Sequence, residues 1–116
     1  MTNLMKKVND RGEVAILVSP GYGAGWYSWN TDYPQLLFDP EIVDFVLECE
    51  KNDVSYIDKE KQIINKFQSK YPNAYLGGAD GLKVKWIKQG TQFKIKEYDG
   101  SERVEYCYDV IKSITA

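Results

Sequence analysis

Residues 82–108, LKVKWIKQGTQFKIKEYDGSERVEYCY, carry the pattern that decides the fold. Apolar and polar residues alternate in three runs, which is the period of half-buried β-strands. Asp99-Gly100 is a strong two-residue hairpin signal between the second and third runs. Gln89-Gly90 is a weaker signal of the same kind between the first and second runs. The segment therefore predicts a meander of antiparallel strands.

The two turns fix a register that places the apolar side chains on one face. The expected cross-strand pairs are Trp86 with Phe93, Val84 with Ile95, Ile95 with Val104, and Phe93 with Tyr106. On each run the other face is mostly basic: Lys83, Lys85, Lys94, Lys96 and Arg103, relieved by Glu105. Such a face either solvates the sheet and deters edge pairing or attracts an anion, and both readings stay open.

One more strand is expected upstream of the meander. The short apolar run over 14–18 stops at Ser19-Pro20-Gly21 and is typical of a buried strand. If this strand pairs antiparallel with 82–88, its exit and the entry of 82–88 lie at the same end of the sheet. A parallel pairing would separate them.

Two helices are predicted between the strands. Asp39-Pro40-Glu41 combines an N-cap acceptor, a proline at the first helical position and an early acid, so that a helix begins there. Its apolar stripe follows i, i+3, i+4, i+7 spacing: Ile42, Phe45, Val46 and Cys49. A second helix begins at Ser55 or Asp58 and ends by Pro72-Asn73. Its expected apolar face is Ile57, Ile64, Phe67 and Tyr71.

These elements define the expected architecture. We predict one α+β domain over residues 1–116. It has a small, mostly antiparallel β-sheet, made of the C-terminal meander and the N-terminal strand, with two helices packed on one face.

Composition and charge exclude several classes of function. The 116 residues include 17 acidic and 15 basic side chains, a net charge of −2, which argues against binding to duplex nucleic acid. The chain has no histidine, so no histidine-based catalytic triad or zinc site can form within it. Cys49 and Cys107 are expected to be thiols in a reducing compartment. No apolar run approaches the ~20 residues of a membrane span. We expect a cytoplasmic protein that needs no metal or cofactor.

The most unusual segment is the first glycine loop, residues 19–30, with the sequence SPGYGAGWYSWN. Glycines alternate with other residues there, and aromatic side chains are dense, as on surfaces where a base or sugar stacks. The loop matches neither a dinucleotide-binding fingerprint nor a phosphate-binding P-loop. Three readings stay open: a ligand site, a partner-protein contact, or aromatics that fill the core or an oligomer interface. Its candidate binding residues are Tyr22, Gly23, Gly25, Trp26 and Trp29.

The second glycine loop, residues 77–81, has the sequence GGADG and precedes the 82–88 strand. It is either a tight turn alone or a site in which Asp80 accepts from a hydroxyl, an amine or a ribose. Its backbone amides could also form an anion-binding concavity. We take Asp80 as a further candidate ligand residue, with Lys94 and Arg103 supplying positive charge from the basic face.

Four segments together resemble a family of small uncharacterised bacteriophage and prophage proteins. They are 15–26 (AILVSPGYGAGW), 37–43 (LFDPEIV), 77–82 (GGADGL) and 97–102 (EYDGSE). The resemblance spans most of the chain and brings no catalytic residue with it. It implies a phage-encoded protein that acts in the cytoplasm of the host bacterium. Small phage proteins without enzymatic equipment are often inhibitors or sponges directed at host defence.

Two functions from different classes follow. The first is a non-catalytic protein that sequesters a small anionic ligand, a nucleotide-type defence signal, and gains concavity by forming a homo-oligomer. The alternative is an inhibitor of a host defence or regulatory protein that uses the aromatic loop as its hot spot. An enzyme ranks third, because Asp80 would have to act as a base with no second catalytic group beside it.

Overall fold

A computed structural model gives the structure of residues 4–106 and 113–116. In chain order the elements are β1 (Glu13–Val18), α1 (Gln35–Phe38), α2 (Pro40–Lys51), α3 (Tyr56–Phe67), β2 (Lys83–Lys88), β3 (Gln92–Tyr98), β4 (Ser101–Tyr106) and β5 (Ile114–Thr115). Single turns of 3-10 helix occupy Tyr27–Trp29 and Gly77–Gly81. The α+β class is as predicted. Cys107 and Tyr108, expected to continue the last strand, lie outside the described residues.

The strands form two small antiparallel sheets rather than one. β1 pairs with β2, and β3 lies between β4 and β5 in a second sheet. The predicted hairpin between β2 and β3 is therefore wrong. A turn does form at Gln89-Gly90, with Gly90 at a φ of 89°. However, the Gln89 amide donates to Gly12 and the Gly90 amide to Ala116, so the chain passes from one sheet to the other there.

The second predicted hairpin is confirmed. Asp99 and Gly100 both have positive φ, 51° and 84°, as a two-residue hairpin turn requires. Ile95 pairs with Val104 and Phe93 with Tyr106, as the sequence predicts. Phe93 is buried, Ile95 and Val104 are partly buried, and Tyr106 at the end of the edge strand is exposed. The expected apolar face thus ends before Tyr106.

β1 lies between two cores, which is why 14–18 is apolar without interruption. Ala15 and Leu17 pack toward α2 and α3, whereas Val14 and Ile16 pack toward Phe93 of the second sheet. The prediction of two helices on one face therefore holds for α2 and α3 on the β1–β2 sheet. Leu37 and Phe38 of α1 and the second sheet cover its other face, which the sequence pattern did not predict.

Helix α2 begins as predicted, because the Asp39 carboxylate accepts from the amides of Glu41 and Ile42. Of its expected stripe, three members are buried and Phe45 is partly buried. Every helix in the described ranges is too short or too polar to cross a membrane.

Helix α3 begins after Ser55, whose hydroxyl accepts from the Asp58 amide. The predicted apolar face of this helix is wrong in its first turn, because Ile57 is exposed. The inward positions are Lys59, Ile63 and Phe67, which are spaced four residues apart on one side of the helix.

Candidate ligand site

The two glycine loops lie together at one end of the β1–β2 sheet. Val18, the last residue of β1, pairs with Lys83, the first residue of β2. Because the pairing is antiparallel, the loop that leaves β1 and the loop that enters β2 meet at this end. The conditional prediction of a shared location is therefore confirmed.

A buried carboxylate holds the first glycine loop in place. Glu102 of β4 is 2 % exposed and accepts from the Ser19 amide at 2.9 Å, the Trp26 amide at 2.9 Å and the Ser28 amide at 2.8 Å. The Ser28 hydroxyl donates to it as well. Within residues 4–106 and 113–116, no lysine or arginine forms an ion pair with Glu102. Among the described residues, the donors that satisfy this carboxylate, which is costly to bury, are therefore uncharged groups of the loop.

Two glycines outside the first loop allow other backbone segments to approach it closely. A Cβ atom on Gly100 would lie 2.6 Å from the Ala24 nitrogen and from the Gly23 carbonyl carbon. A Cβ atom on Gly78 would lie 2.5 Å from the Gly25 carbonyl oxygen. The hairpin turn and the second glycine loop thus pack directly on the first loop.

The predicted role of Gly23 and Gly25 as amide donors to a ligand is not supported. The Gly23 amide donates to the carbonyl of Asp99 at 3.0 Å, so its proton is already used. Gly25 is buried, and a Cβ there would lie 2.5 Å from the Ser28 hydroxyl oxygen. Gly25 thus serves the internal packing of the loop, whereas Gly23, with a φ of 121°, ties the loop to the hairpin turn at Asp99.

Trp26 is not a stacking platform, contrary to the prediction. Its side chain is fully buried in the core under α2 and α3, and its indole nitrogen donates to the Leu36 carbonyl at 2.7 Å. Trp29 is 45 % exposed and stacks on Tyr75, with ring centroids 5.8 Å apart. One face of the Trp29 indole is thus already covered by the protein.

The first cavity, named here the loop cavity, lies between the two glycine loops and the start of α3. Its volume is about 420 Å³, and its lining residues are Ser19, Pro20, Gly21, Tyr22, Tyr56, Asp80, Gly81 and Lys83. Tyr22 is 77 % and Tyr56 64 % exposed, so both rings are open to a ligand. The exposed Asp80 carboxylate accepts from the Gly81 amide at 2.8 Å and has free lone pairs. Of the predicted residues, Tyr22 and Asp80 come together here.

The second cavity, named the hairpin cavity, lies on β3 and β4. Its volume is about 410 Å³, and its lining residues are Tyr22, Lys96, Glu97, Tyr98, Ser101 and Arg103. Arg103, one of the predicted sources of positive charge, lines this cavity. Lys94 does not line it; it is partly buried and stands opposite Glu105 in the β3–β4 register. Lys96, one strand repeat nearer the turn, takes the position expected of Lys94.

Four residues at the two cavities or beneath them were not predicted as site residues from the sequence: Glu102, Tyr56, Lys83 and Tyr98. A signal for Glu102 existed, because it shares a strand face with Val104, which the register had placed on the apolar side. An acid at such a position needs buried donors. Tyr56 carried no comparable signal, since its proximity to the glycine loops depends on how α3 packs.

A buried lysine, Lys59, lines a further cavity together with Tyr56 and Lys83, which also line the loop cavity. Lys59 donates to the Leu82 carbonyl at 3.0 Å, and its ammonium lies 5.3 Å from the centre of the Tyr56 ring. Burial lowers the pKa of Lys59 below its ordinary value, against the opposing effect of nearby negative groups. Burial likewise raises the pKa of the neighbouring Cys49 thiol. This lysine supports Tyr56 and the strand that carries Lys83.

Comparison with models of known protein families, with curated proteins and with solved structures finds no match to this chain.

Proposed function

We propose that this chain is a non-catalytic binding protein for a small anionic ligand of the nucleotide type, and that the loop cavity is its site. One observation carries the proposal. The antiparallel pairing of β1 with β2 brings both glycine loops around a cavity that presents two exposed tyrosine rings, one ammonium group and one carboxylate.

Each lining group has a counterpart in a nucleotide. The rings of Tyr22 and Tyr56 offer flat surfaces for a base. The Lys83 ammonium is a countercharge for a phosphate, and Asp80 accepts hydrogen bonds from a ribose hydroxyl or an exocyclic amine. A volume of about 420 Å³ falls within the range of small-molecule sites. Stacking is thus assigned to the two tyrosines instead of Trp26.

In this proposal the protein binds its ligand and does not convert it chemically. The chain has no histidine, and Asp80, the carboxylate at the loop cavity, has no second acid or base among the residues that line the cavity with it apart from Lys83 and the two tyrosines. Glu102 is enclosed by its four hydrogen-bond donors, which indicates a structural role. The arrangement supports recognition of a charged aromatic ligand better than proton transfer.

The resemblance to small phage and prophage proteins suggests the setting. In this setting the protein would be encoded by a phage, act in the cytoplasm of the host bacterium and sequester a nucleotide-type defence signal. A homo-oligomer would enclose the ligand more completely than one 116-residue chain. Native mass spectrometry of protein from infected cells reports the subunit count and any retained small molecule in one measurement.

Calorimetry against a panel of cyclic and linear nucleotides tests the binding proposal. Tyr22→Ala should weaken binding by about 1–3 kcal/mol through loss of stacking. The matched control is Tyr106→Ala, an exposed tyrosine at the other end of the β3–β4 hairpin. Lys83→Ala should weaken binding more at low than at high salt, and Lys85→Ala on the same strand should not. Absence of heat with every nucleotide would reject the proposal.

A second candidate, the inhibitor of a host protein, has its own supporting observation. Exposed aromatic side chains lie on the first glycine loop and beside it: Tyr22 and Trp29 in the loop, Tyr75 against Trp29, and Tyr98 in the same cavity as Tyr22. Tyrosine and tryptophan dominate protein-binding hot spots. If Trp29→Ala loses a co-purifying host protein while the wild type binds no nucleotide, the inhibitor replaces the sponge.

A further inference from the structure

Tyr22 lies on a ridge between two cavities. It lines the loop cavity on one side and the hairpin cavity on the other. The ridge is held to the hairpin, because the Ser101 hydroxyl donates to the Pro20 carbonyl at 2.6 Å and the Gly23 amide donates to Asp99. Tyr22 itself remains 77 % exposed. A fixed backbone thus presents a free aromatic ring where the two cavities meet.

The two cavities have the same kinds of groups. Each has one further exposed tyrosine, Tyr56 in the loop cavity and Tyr98 in the hairpin cavity. Each has a basic side chain for a phosphate, Lys83 in the first and Arg103 in the second. Their volumes, about 420 and 410 Å³, are nearly equal. The site therefore repeats itself about Tyr22.

The charge along this surface suits one bridging anion rather than a highly charged ligand. Lys83, Lys96 and Arg103 contribute three positive charges, while Asp80 and Glu97 contribute two negative ones. Lys96 also lies 3.8 Å from Glu105, which partly offsets its charge. A triphosphate would meet too few cations here. A phosphodiester, with one negative charge for each linkage, matches the balance.

We infer that the two cavities together take a ligand with two bases joined through a phosphodiester, one base in each cavity with the Tyr22 ring between them. This inference rests on the proposed function and extends it from a nucleotide to a dinucleotide unit. Alternation of aromatic rings with basic side chains is also how proteins bind unpaired nucleic acid strands. The unit can therefore come from a free dinucleotide or from a single strand.

Titration calorimetry with adenosine monophosphate and with the linear dinucleotide of adenosine tests the inference. The dinucleotide should bind at least about tenfold more tightly, because a second base is stacked. Tyr98→Ala should remove most of this advantage and leave mononucleotide affinity within about twofold, since a first base occupies the loop cavity. Tyr22→Ala should weaken both ligands. Lys85→Ala is the control, and thermal melting confirms that each variant is folded.

The outcomes separate the inference from the proposal beneath it. Equal affinity for the two ligands, or a Tyr98→Ala variant that keeps the full advantage, overturns the two-base site and leaves the nucleotide site standing. No binding of either ligand overturns the inference, and the proposed function falls with it only if the nucleotide panel also gives no heat. A cyclic dinucleotide and a ten-nucleotide single strand are titrated in further arms. Tighter binding of the strand identifies nucleic acid as the source of the unit, and tighter binding of either dinucleotide identifies a free signal; both results support the inference.

Discussion

Glu102 accepts two hydrogen bonds from Ser28, one from its backbone amide at 2.8 Å and one from its hydroxyl group. The two residues are 74 positions apart in the chain. Through this contact the β3–β4 hairpin determines the shape of a loop that leaves the other sheet. The placement of Tyr22 between its two cavities depends on the same carboxylate.

Glu102→Gln should lower the free energy of unfolding by about 1–3 kcal/mol, because the new amide group places a donor against donors. Urea denaturation measures the change. Glu105→Gln, three residues along the same strand, is the control, since its partner in the structure is a distant lysine at 3.8 Å. Equal stability of the two variants would show that the Glu102 contacts contribute little.

Gly100→Ala should destabilise the protein more than Gly90→Ala. Both glycines have similar positive φ, 84° and 89°, so the backbone cost of about 1–2 kcal/mol is shared. Only at Gly100 does the new Cβ collide with another segment, the backbone of Gly23 and Ala24; at Gly90 it meets nothing within 4 Å. The difference between the two variants in denaturant unfolding therefore isolates the close packing of the loop. A difference near zero would contradict that packing.

Local chemistry made part of the fold predictable. The Asp99-Gly100 turn and the Asp39 cap depend on a few neighbouring residues, and both elements form as expected. The Gln89-Gly90 turn also forms, but a turn does not choose the partners of its flanking strands. β2 pairs with β1, and β3 pairs with β4 and β5, in an arrangement that buries both faces of 14–18. The choice of strand partners depends on the packing of the whole chain and not on the turn.

The candidate site was only partly predictable for a similar reason. The first glycine loop has no regular period, so nothing in its sequence distinguishes an inward Trp26 from an outward Trp29 or Tyr22. The strand periodicity did identify Arg103 as outward-facing, and it contained the signal for Glu102. The position of Tyr56 depends on how α3 packs on the sheet. The helical pattern did not predict that packing, because it placed Ile57 on the apolar face and the structure exposes it.

Trp26→Ala should behave as a core truncation and cost about 3–5 kcal/mol of unfolding free energy. The indole is fully buried and its nitrogen donates to Leu36. Trp29→Ala, in the same loop but partly exposed, should cost about 1 kcal/mol, near the average for a substitution. Thermal or urea unfolding of the two variants tests this order. The reverse order would contradict the burial of Trp26 and leave its predicted stacking role open.

Asp39 should make the protein sensitive to acid. Burial raises the pKa of Asp39, but hydrogen bonds from Lys70 and Tyr71 and the charge of Lys70 outweigh it, so the pKa lies below 3.8. The ionised form is favoured in the folded state, so its stabilisation is present above 3.8 and is lost as the pH falls through the lower folded value. Wild type should exceed Asp39→Asn in stability at pH 7, and the gap should close toward pH 2. A gap independent of pH would exclude the ionised carboxylate as its cause.

Lys59 should make stability rise toward alkaline pH. Its pKa in the folded protein lies below the ordinary 10.5 because the ammonium is buried. Between the folded value and 10.5 the unfolded chain binds more protons than the folded one, so stability increases with pH over that window. The free energy of unfolding of wild type minus that of Lys59→Met, both measured in urea, should therefore increase as the pH approaches 10.5. Lys61→Met, an exposed position on the same helix, should show no such trend relative to wild type. If the Lys59→Met difference stays constant from pH 7 to 10.5, the buried amine titrates as a solvated one and the packing behind Tyr56 is looser than described.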